Sequence, residues 1–433
     1  MTRFAVALPY SDKIERRLHV AALVFLCLIP TFLLFARAAA DISLVLVAVL
    51  FLVRSTLRRD WAWARQIDIA MLLLALLMLV AVVAPFGEYP GKNFSRGLIW
   101  VRFVVFYAAV TRWVLVDKAA IRAVCYATFA ALLVGALDAF YQFITGYSLL
   151  GGQGMVANGN RLTGPLDRPN IGSYLSKLAF GVMALAFVAR EQLGDKRLLT
   201  VGAGVMVPVL AVIFLSGERT ASVLTLTGLV AVVIGLFISG GRARVLSIFL
   251  GAVGVAGIGF LLSASDRIAG RVAALGTVVS DYSDSVYGQL VLTGWRFFTE
   301  NPLTGIGMSS FEKVCRAQQP PESLEFGCYP HPHNIYAEWL ASSGLVGTLP
   351  WLVFVGLIIW AGVRLIRPGH QQTVLAALYL ATVNLSLFPF AATQSAFSNW
   401  PAILTWMSIA CAVAALNVFK RSDLADLKGI IPL

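Results

Sequence analysis

Two of the chain's four histidines stand together in His331-Pro332-His333-Asn334, and nine residues separate Asn334 from Gly344-Leu345-Val346-Gly347. Imidazole is the side chain best suited to taking or giving a proton near neutral pH. Proline at 332 disfavours helix at His331 and suits a helix that begins at or just after His333. On such a helix His333 and Tyr336 would share a face, as would Asn334 and Glu338. The cluster reads either as a proton-transfer group with polar neighbours or as an ordinary helix cap at a membrane edge.

A second group of residues is cationic. Arg161 and Arg168 lie in Asn160-Arg161-Leu162-Thr163-Gly164-Pro165-Leu166-Asp167-Arg168-Pro169-Asn170, just before an apolar run, and Lys177 falls about two turns into that run. Arg219 lies in Ser216-Gly217-Glu218-Arg219-Thr220, between two apolar runs with almost no loop. A guanidinium presents a fork of donors that matches phosphate oxygens. Each position has a plainer reading. Arg219 could pair with Glu218, although adjacent helix residues do not face each other. Arg168 could pair with Asp167, Lys177 could snorkel to the surface, and Arg102 could snorkel or pair inside a bundle. Taken together, several cations and a histidine on one membrane face suggest an anion site.

Other features are weaker. Asn301-Pro302-Leu303-Thr304-Gly305-Ile306-Gly307, after an amphipathic stretch with Trp295 and Arg296, reads as a tight turn ending a helix. Cys315 and Cys328 have twelve residues between them. They are either two thiols or, in an oxidising compartment, a disulfide that closes a loop worth roughly 3 kcal/mol. Asp281 and Asp284 could be imagined as metal ligands, but such pairs are commonplace in solvated turns. With no His/Cys cluster of zinc spacing and no Walker loop, neither metal nor cofactor is expected.

These residues must be positioned by helices in lipid. Apolar residues make up 59% of the 433 and charged ones 13%, against roughly 25% charged in an average soluble protein. That excludes a soluble enzyme, a disordered chain and a disulfide-knotted domain. Segments of about 20 apolar residues fall near 18–36, 38–53, 67–84, 97–116, 121–144, 171–189, 198–215, 221–239, 245–263, 344–363, 372–388 and 401–419. The expectation is an all-α polytopic membrane protein of about twelve transmembrane helices. Helices 1–9 occupy 1–263, a large periplasmic loop with short helices of its own occupies 264–343, and helices 10–12 with a cytoplasmic tail occupy 344–433. Lys13, Arg16 and Arg17 ahead of an apolar run and Ala36-Arg37-Ala38 resemble a cleavable leader; the run is expected to stay as the first span.

With both termini cytoplasmic, 21 of the 34 basic residues fall inside and 11 outside, with Arg102 and Lys177 within spans. The net charge of +12 is therefore assigned to topology rather than to nucleic acid. Trp61, Trp63 and Trp113 fall at inner span ends, and Trp100 and Trp400 at outer ones, as an aromatic belt would.

His333-Asn334, nine residues and Gly344-Leu345-Val346-Gly347 fit the pattern H-[NSQ]-x9-G-x-x-[GTY], and the chain resembles the O-antigen ligase family. That family sits within the group of O-antigen ligases, O-antigen polymerases and protein O-oligosaccharyltransferases. Trp295 with the Asn301–Gly307 turn, the Arg161 segment, and Ser216-Gly217-Glu218-Arg219 stand in the family's order. One departure is Gln289, where many relatives carry an arginine before the loop tryptophan. The resemblance implies an inverting, metal-independent transfer of a glycan from undecaprenyl diphosphate to lipid A–core, at the periplasmic face of a bacterial inner membrane. It implies His333 as base, and Arg161 and Arg219 on the diphosphate. Arg168, Lys177, His331, Asn334 and Tyr336 would contribute to substrate binding. The expected partners are these two substrates and membrane lipid. The nearest alternatives are the polymerase and the protein oligosaccharyltransferase. A secondary transporter fits less well, because polar residues gather at one face rather than at the midplane of repeated halves.

Overall fold

The computed structural model describes residues 13–151, 154, 161–264, 282–318 and 328–430, apart from the side chains of 257–264 and 422–430. Among the described residues the regular structure is helical, and no strand forms beyond one isolated bridge between Tyr147 and Gly154. Fourteen helices follow in order: α1 (Lys13–Phe35), α2 (Arg37–Arg58), α3 (Ile67–Phe86), α4 (Pro90–Val114), α5 (Lys118–Thr145), α6 (Ile171–Leu193), α7 (Lys196–Leu215), α8 (Arg219–Ser239), α9 (Gly241–Ala264), α10 (Val286–Glu300), α11 (Phe311–Ala317), α12 (Ile335–Val363), α13 (Gln372–Leu387) and α14 (Asn399–Ile430). Ten are long and apolar enough to cross a membrane. The other two expected segments are the 24-residue α9 and the shorter, apolar α13. The chain is an all-α, multi-pass membrane protein.

Local chemistry sets the helix ends. Asp117 caps α5 by accepting from the Ala120 N–H, and Gly146 closes it in the left-handed region. Ser285 caps α10 through the Gly288 N–H. Outward faces are apolar, with Val207, Val245, Phe249 and Trp360 all more than half exposed, as lipid contact requires.

The chain divides into two compact units. The first comprises 1–66, 102–218 and 406–433. In it α1 packs on α2 and α5, and α5, α6 and α7 pack on one another. Arg102 pairs with Asp41 at 3.0 Å within this unit, the internal pairing among its two expected fates. The second comprises 67–101 and 219–405. Here α8 packs on α9 and α13, while α12 packs on α3, α10 and α13. Leu290, Phe297, Ile306, Phe311, Val314, Cys315 and Ala341 form a small buried core beneath the loop helices.

Two expectations need correction. Of the five belt tryptophans only Trp61 is substantially exposed, and Trp63, Trp100, Trp113 and Trp400 are buried. Their rings serve helix packing instead: Trp63 donates to the Ser55 hydroxyl at 3.1 Å, Trp113 packs on His19, and Trp100 packs on Trp339. The tenth span, expected from 344, begins at Ile335 because a capped helix is joined to it across a break at Gly344.

Candidate active site

The helix after the histidine pair starts two residues later than its face pattern requires. Asn334 is the N-cap, its side-chain oxygen accepting from the Tyr336 and Ala337 N–H groups at 3.0 Å each. His333 therefore precedes the helix and does not share a face with Tyr336. Its backbone sits at φ +53°, in the left-handed region, a conformation that costs a non-glycine residue roughly 1–2 kcal/mol.

Packed segments hold it there. The Thr393 N–H donates to the His333 carbonyl at 2.6 Å. The Asn334 amide nitrogen donates to the carbonyls of Pro389 and Ala391 at 2.6 and 3.5 Å. With its oxygen also used, the Asn334 side chain is saturated by the protein and has no donor left for a substrate. The Tyr336 hydroxyl likewise donates to the Leu387 carbonyl at 2.8 Å. Segment 387–396 thus forms a strap across the first turns of α12.

The His333 ring lies 4.2 Å from that of His331, centroid to centroid, and Tyr287 and Tyr329 meet it edge-on at 5.5 and 5.6 Å. Burial and the neighbouring His333 lower the proton affinity of His331 to a pKa of about 4. Burial also lowers that of His333, while the nearby Thr393 backbone opposes the change at both rings. Both imidazoles are thus neutral at neutral pH, the form that accepts a proton.

Below the histidines, the Asn301–Gly307 turn fills the break at Gly344 (φ +56°, ψ −158°). Ile306 and Gly307 donate to the carbonyls of Ala341 and Ser342 at 2.8 and 3.0 Å, and Leu345 and Val346 donate to the carbonyls of Pro302 and Leu303 at 2.8 and 3.1 Å. The groups of α12 in these four bonds are the ones deprived of helical partners by the break. Cys315 and Cys328 are joined in a disulfide, with their Cα atoms 5.8 Å apart. Gln289, at the position of the family departure, donates to the Ser283 carbonyl at 2.6 Å.

The cations of the first unit gather around a carboxylate. Glu218 is buried and caps α6, accepting from the N–H groups of Gly172 and Ser173 at 2.6 and 3.2 Å and from the Ser173 hydroxyl at 2.5 Å. Burial raises its proton affinity, and those hydrogen bonds and Arg161 hold it down. Lys177 is also within electrostatic reach of Glu218. Backbone pairing of Leu162 with Ser216 at 3.0 Å brings the Arg161 segment onto the turn, where Arg161 covers Gly217. Asp167 pairs with Arg37 rather than with Arg168, which is exposed. In the second unit, Arg219 is the exposed first residue of α8. A cation at a helix N-terminus opposes the helix dipole, so its place is not explained by helix stability.

Residues 204–352 match the family model described as O-antigen ligase. Over this stretch the chain is similar to the O-antigen ligase family. No curated protein matches the chain. The matched segment spans Arg219, the Asn301–Gly307 turn, the histidine pair and Gly344, while Arg161, Arg168 and Lys177 precede it. The family consists of membrane glycosyltransferases of the ligase and polymerase type.

Sequence reasoning about the histidine pair misses Tyr287, Tyr329 and the strap. Tyr329 has a signal, two residues before the histidine pair; Tyr287 has none. Glu218 stands out in the sequence only as a partner for Arg219. Among the described residues no group of three His, Cys, Asp or Glu could hold a metal; Asp281 lies outside them.

Proposed function

We propose that this protein is an O-antigen ligase, an inverting glycosyltransferase that moves a glycan from undecaprenyl diphosphate onto a sugar of lipid A–core. The observation that carries the proposal is the His333 imidazole, held at φ +53° at the capped mouth of α12 within the segment that matches the O-antigen ligase model. In this reading His333 removes the proton from the acceptor hydroxyl as its oxygen attacks the anomeric carbon. The bond from that carbon to the diphosphate oxygen breaks, and the leaving group takes the electron pair. Arg161 and Arg219 bind the charge that develops on the diphosphate, with Arg168 and Lys177 as auxiliaries and His331 beside the acceptor. Guanidinium groups supply the charge neutralisation, so no metal ion is required. The site faces the periplasm of a bacterial inner membrane with both chain termini in the cytoplasm. The Cys315–Cys328 bond suits that oxidising side.

Complementation tests the proposal. A strain lacking its own ligase should regain capped core lipopolysaccharide with the wild-type chain. It should not do so with His333→Ala, Arg161→Ala or Arg219→Ala at equal protein levels. Normal capping by all three variants overturns the residue roles, and restored chain length without capping means a polymerase. Loss of transfer on chelation, reversed by a divalent ion, overturns the metal-free mechanism.

A further inference from the structure

Glu338 lies one turn beyond the Asn334 cap, and its side chain is buried within α12. Burying a carboxylate in a membrane-spanning helix is costly unless its oxygens are satisfied. Here they are satisfied by the strap: Glu338 accepts from the Ser395 hydroxyl and from the Ala396 N–H, the latter at 2.6 Å. Arg96, on α4, is within electrostatic reach of Glu338 and donates to the carbonyl of Phe397 at 3.2 Å. The far end of the strap is therefore tied to α12 through the Glu338 side chain. Two residues before that anchor, Thr393 donates to the His333 carbonyl at 2.6 Å. Among the described residues, the near end, Leu387 to Ala391, is held to α12 by neutral bonds from Tyr336 and Asn334.

We propose that Glu338 is a positioning residue for His333: by anchoring Ser395 and Ala396 it fixes Thr393, which holds His333 in its left-handed conformation over the acceptor site. The inference rests on the proposed function, in which His333 is the base. The groups that face His333 are His331 and Tyr329 from its own loop, Tyr287 from α10 and the Thr393 backbone from the strap. Loosening the strap admits water to a ring that burial now keeps neutral.

The experiment uses purified full-length protein with an undecaprenyl-diphosphate-linked oligosaccharide and lipid A–core, comparing wild type, Glu338→Gln and Ser395→Ala. The kcat of Glu338→Gln should fall on the order of tenfold or more, with little change in acceptor KM. Only four histidines occur in the chain, so histidine NMR titration can follow His333 without any turnover. Its midpoint should rise in Glu338→Gln towards the ordinary value of 6.5. Ser395→Ala, which leaves the Ala396 bond in place, should move both readouts the same way by less and serves if Glu338→Gln does not accumulate. An unmoved His333 midpoint or an unchanged kcat overturns the proposal. If the midpoint moves while the wild-type protein transfers nothing, the ligase reading fails and the positioning role stands.

Discussion

The N–H of Ile306 donates to the carbonyl of Ala341 at 2.8 Å, so a turn of the loop completes the hydrogen bonding of another element's broken helix. The break requires glycine. At φ +56° and ψ −158° Gly344 occupies a region open almost only to glycine, and a Cβ there would collide with the Leu303 carbonyl and lie 2.6 Å from the Thr304 nitrogen.

Gly344→Ala should therefore destabilise the fold by about 2–4 kcal/mol and reduce transfer, because the capped segment that carries His333 is reoriented. Gly356, in the same helix, is the control, since a methyl group added there would meet nothing within 4 Å; Gly356→Ala should stay within about 1 kcal/mol of wild type. Melting of both variants in detergent checks this. Equal melting temperatures would refute the steric argument.

The helices can be read from the sequence because a spanning segment is announced by local composition: α1, α6 and α8 need nothing beyond an apolar run. The Asn301–Gly307 turn and the start of a helix near His333 are legible from proline and glycine chemistry. What is not legible depends on partners distant in the chain. Nothing near Gly344 indicates that residues 302–307 will fill its break, and nothing near Glu338 points to Ser395. Spacing alone puts His333 on a helix face, whereas its φ is set by Thr393, about sixty residues away in the chain. The tryptophans mislead for a similar reason. Position at a span end favours the interface, but Trp100 has Trp339 to pack against.

The histidine pair makes stability depend on pH. His331 has a pKa of about 4 in the fold against 6.5 for the free side chain, so between those values the unfolded chain holds more protons. Stability then rises with pH: the contribution is complete above about 6.5 and is lost as pH falls towards 4, amounting to roughly 3 kcal/mol. Replacing the group by a neutral one, His331→Gln, should flatten the decline in melting temperature between these limits. A variant that keeps the wild-type slope would show that another group titrates.

The Cys315–Cys328 bond ties α11 to the residues leading into the histidine pair. Cys315 is itself in the buried core with Leu290 and Phe297. Opening the bond by Cys328→Ser should cost about 2–4 kcal/mol and lower transfer at high temperature more than at low. Mass measurement after alkylation without reductant should show three alkylated cysteines, since Cys27, Cys125 and Cys411 are free. Five alkylated sites would show that both loop thiols are reduced.

Glu218 gives the last test, because it does two things that substitution can separate. As the cap of α6 it needs only acceptor oxygens, which an amide also offers to Gly172 and Ser173. As the counter-charge to Arg161 and Lys177 it needs its negative charge. Glu218→Ala removes both and should cost about 1–3 kcal/mol through unsatisfied N–H groups at the start of α6. Glu218→Gln keeps an acceptor for the cap but leaves the two cations without their anion, so it should lie between wild type and alanine at low salt. Added salt screens the exposed Arg161 charge and should narrow the gap between Gln and wild type more than the gap between Ala and Gln. Melting of the three proteins across ionic strength decides it, and a salt-independent Gln variant would mean that capping alone is the role of Glu218.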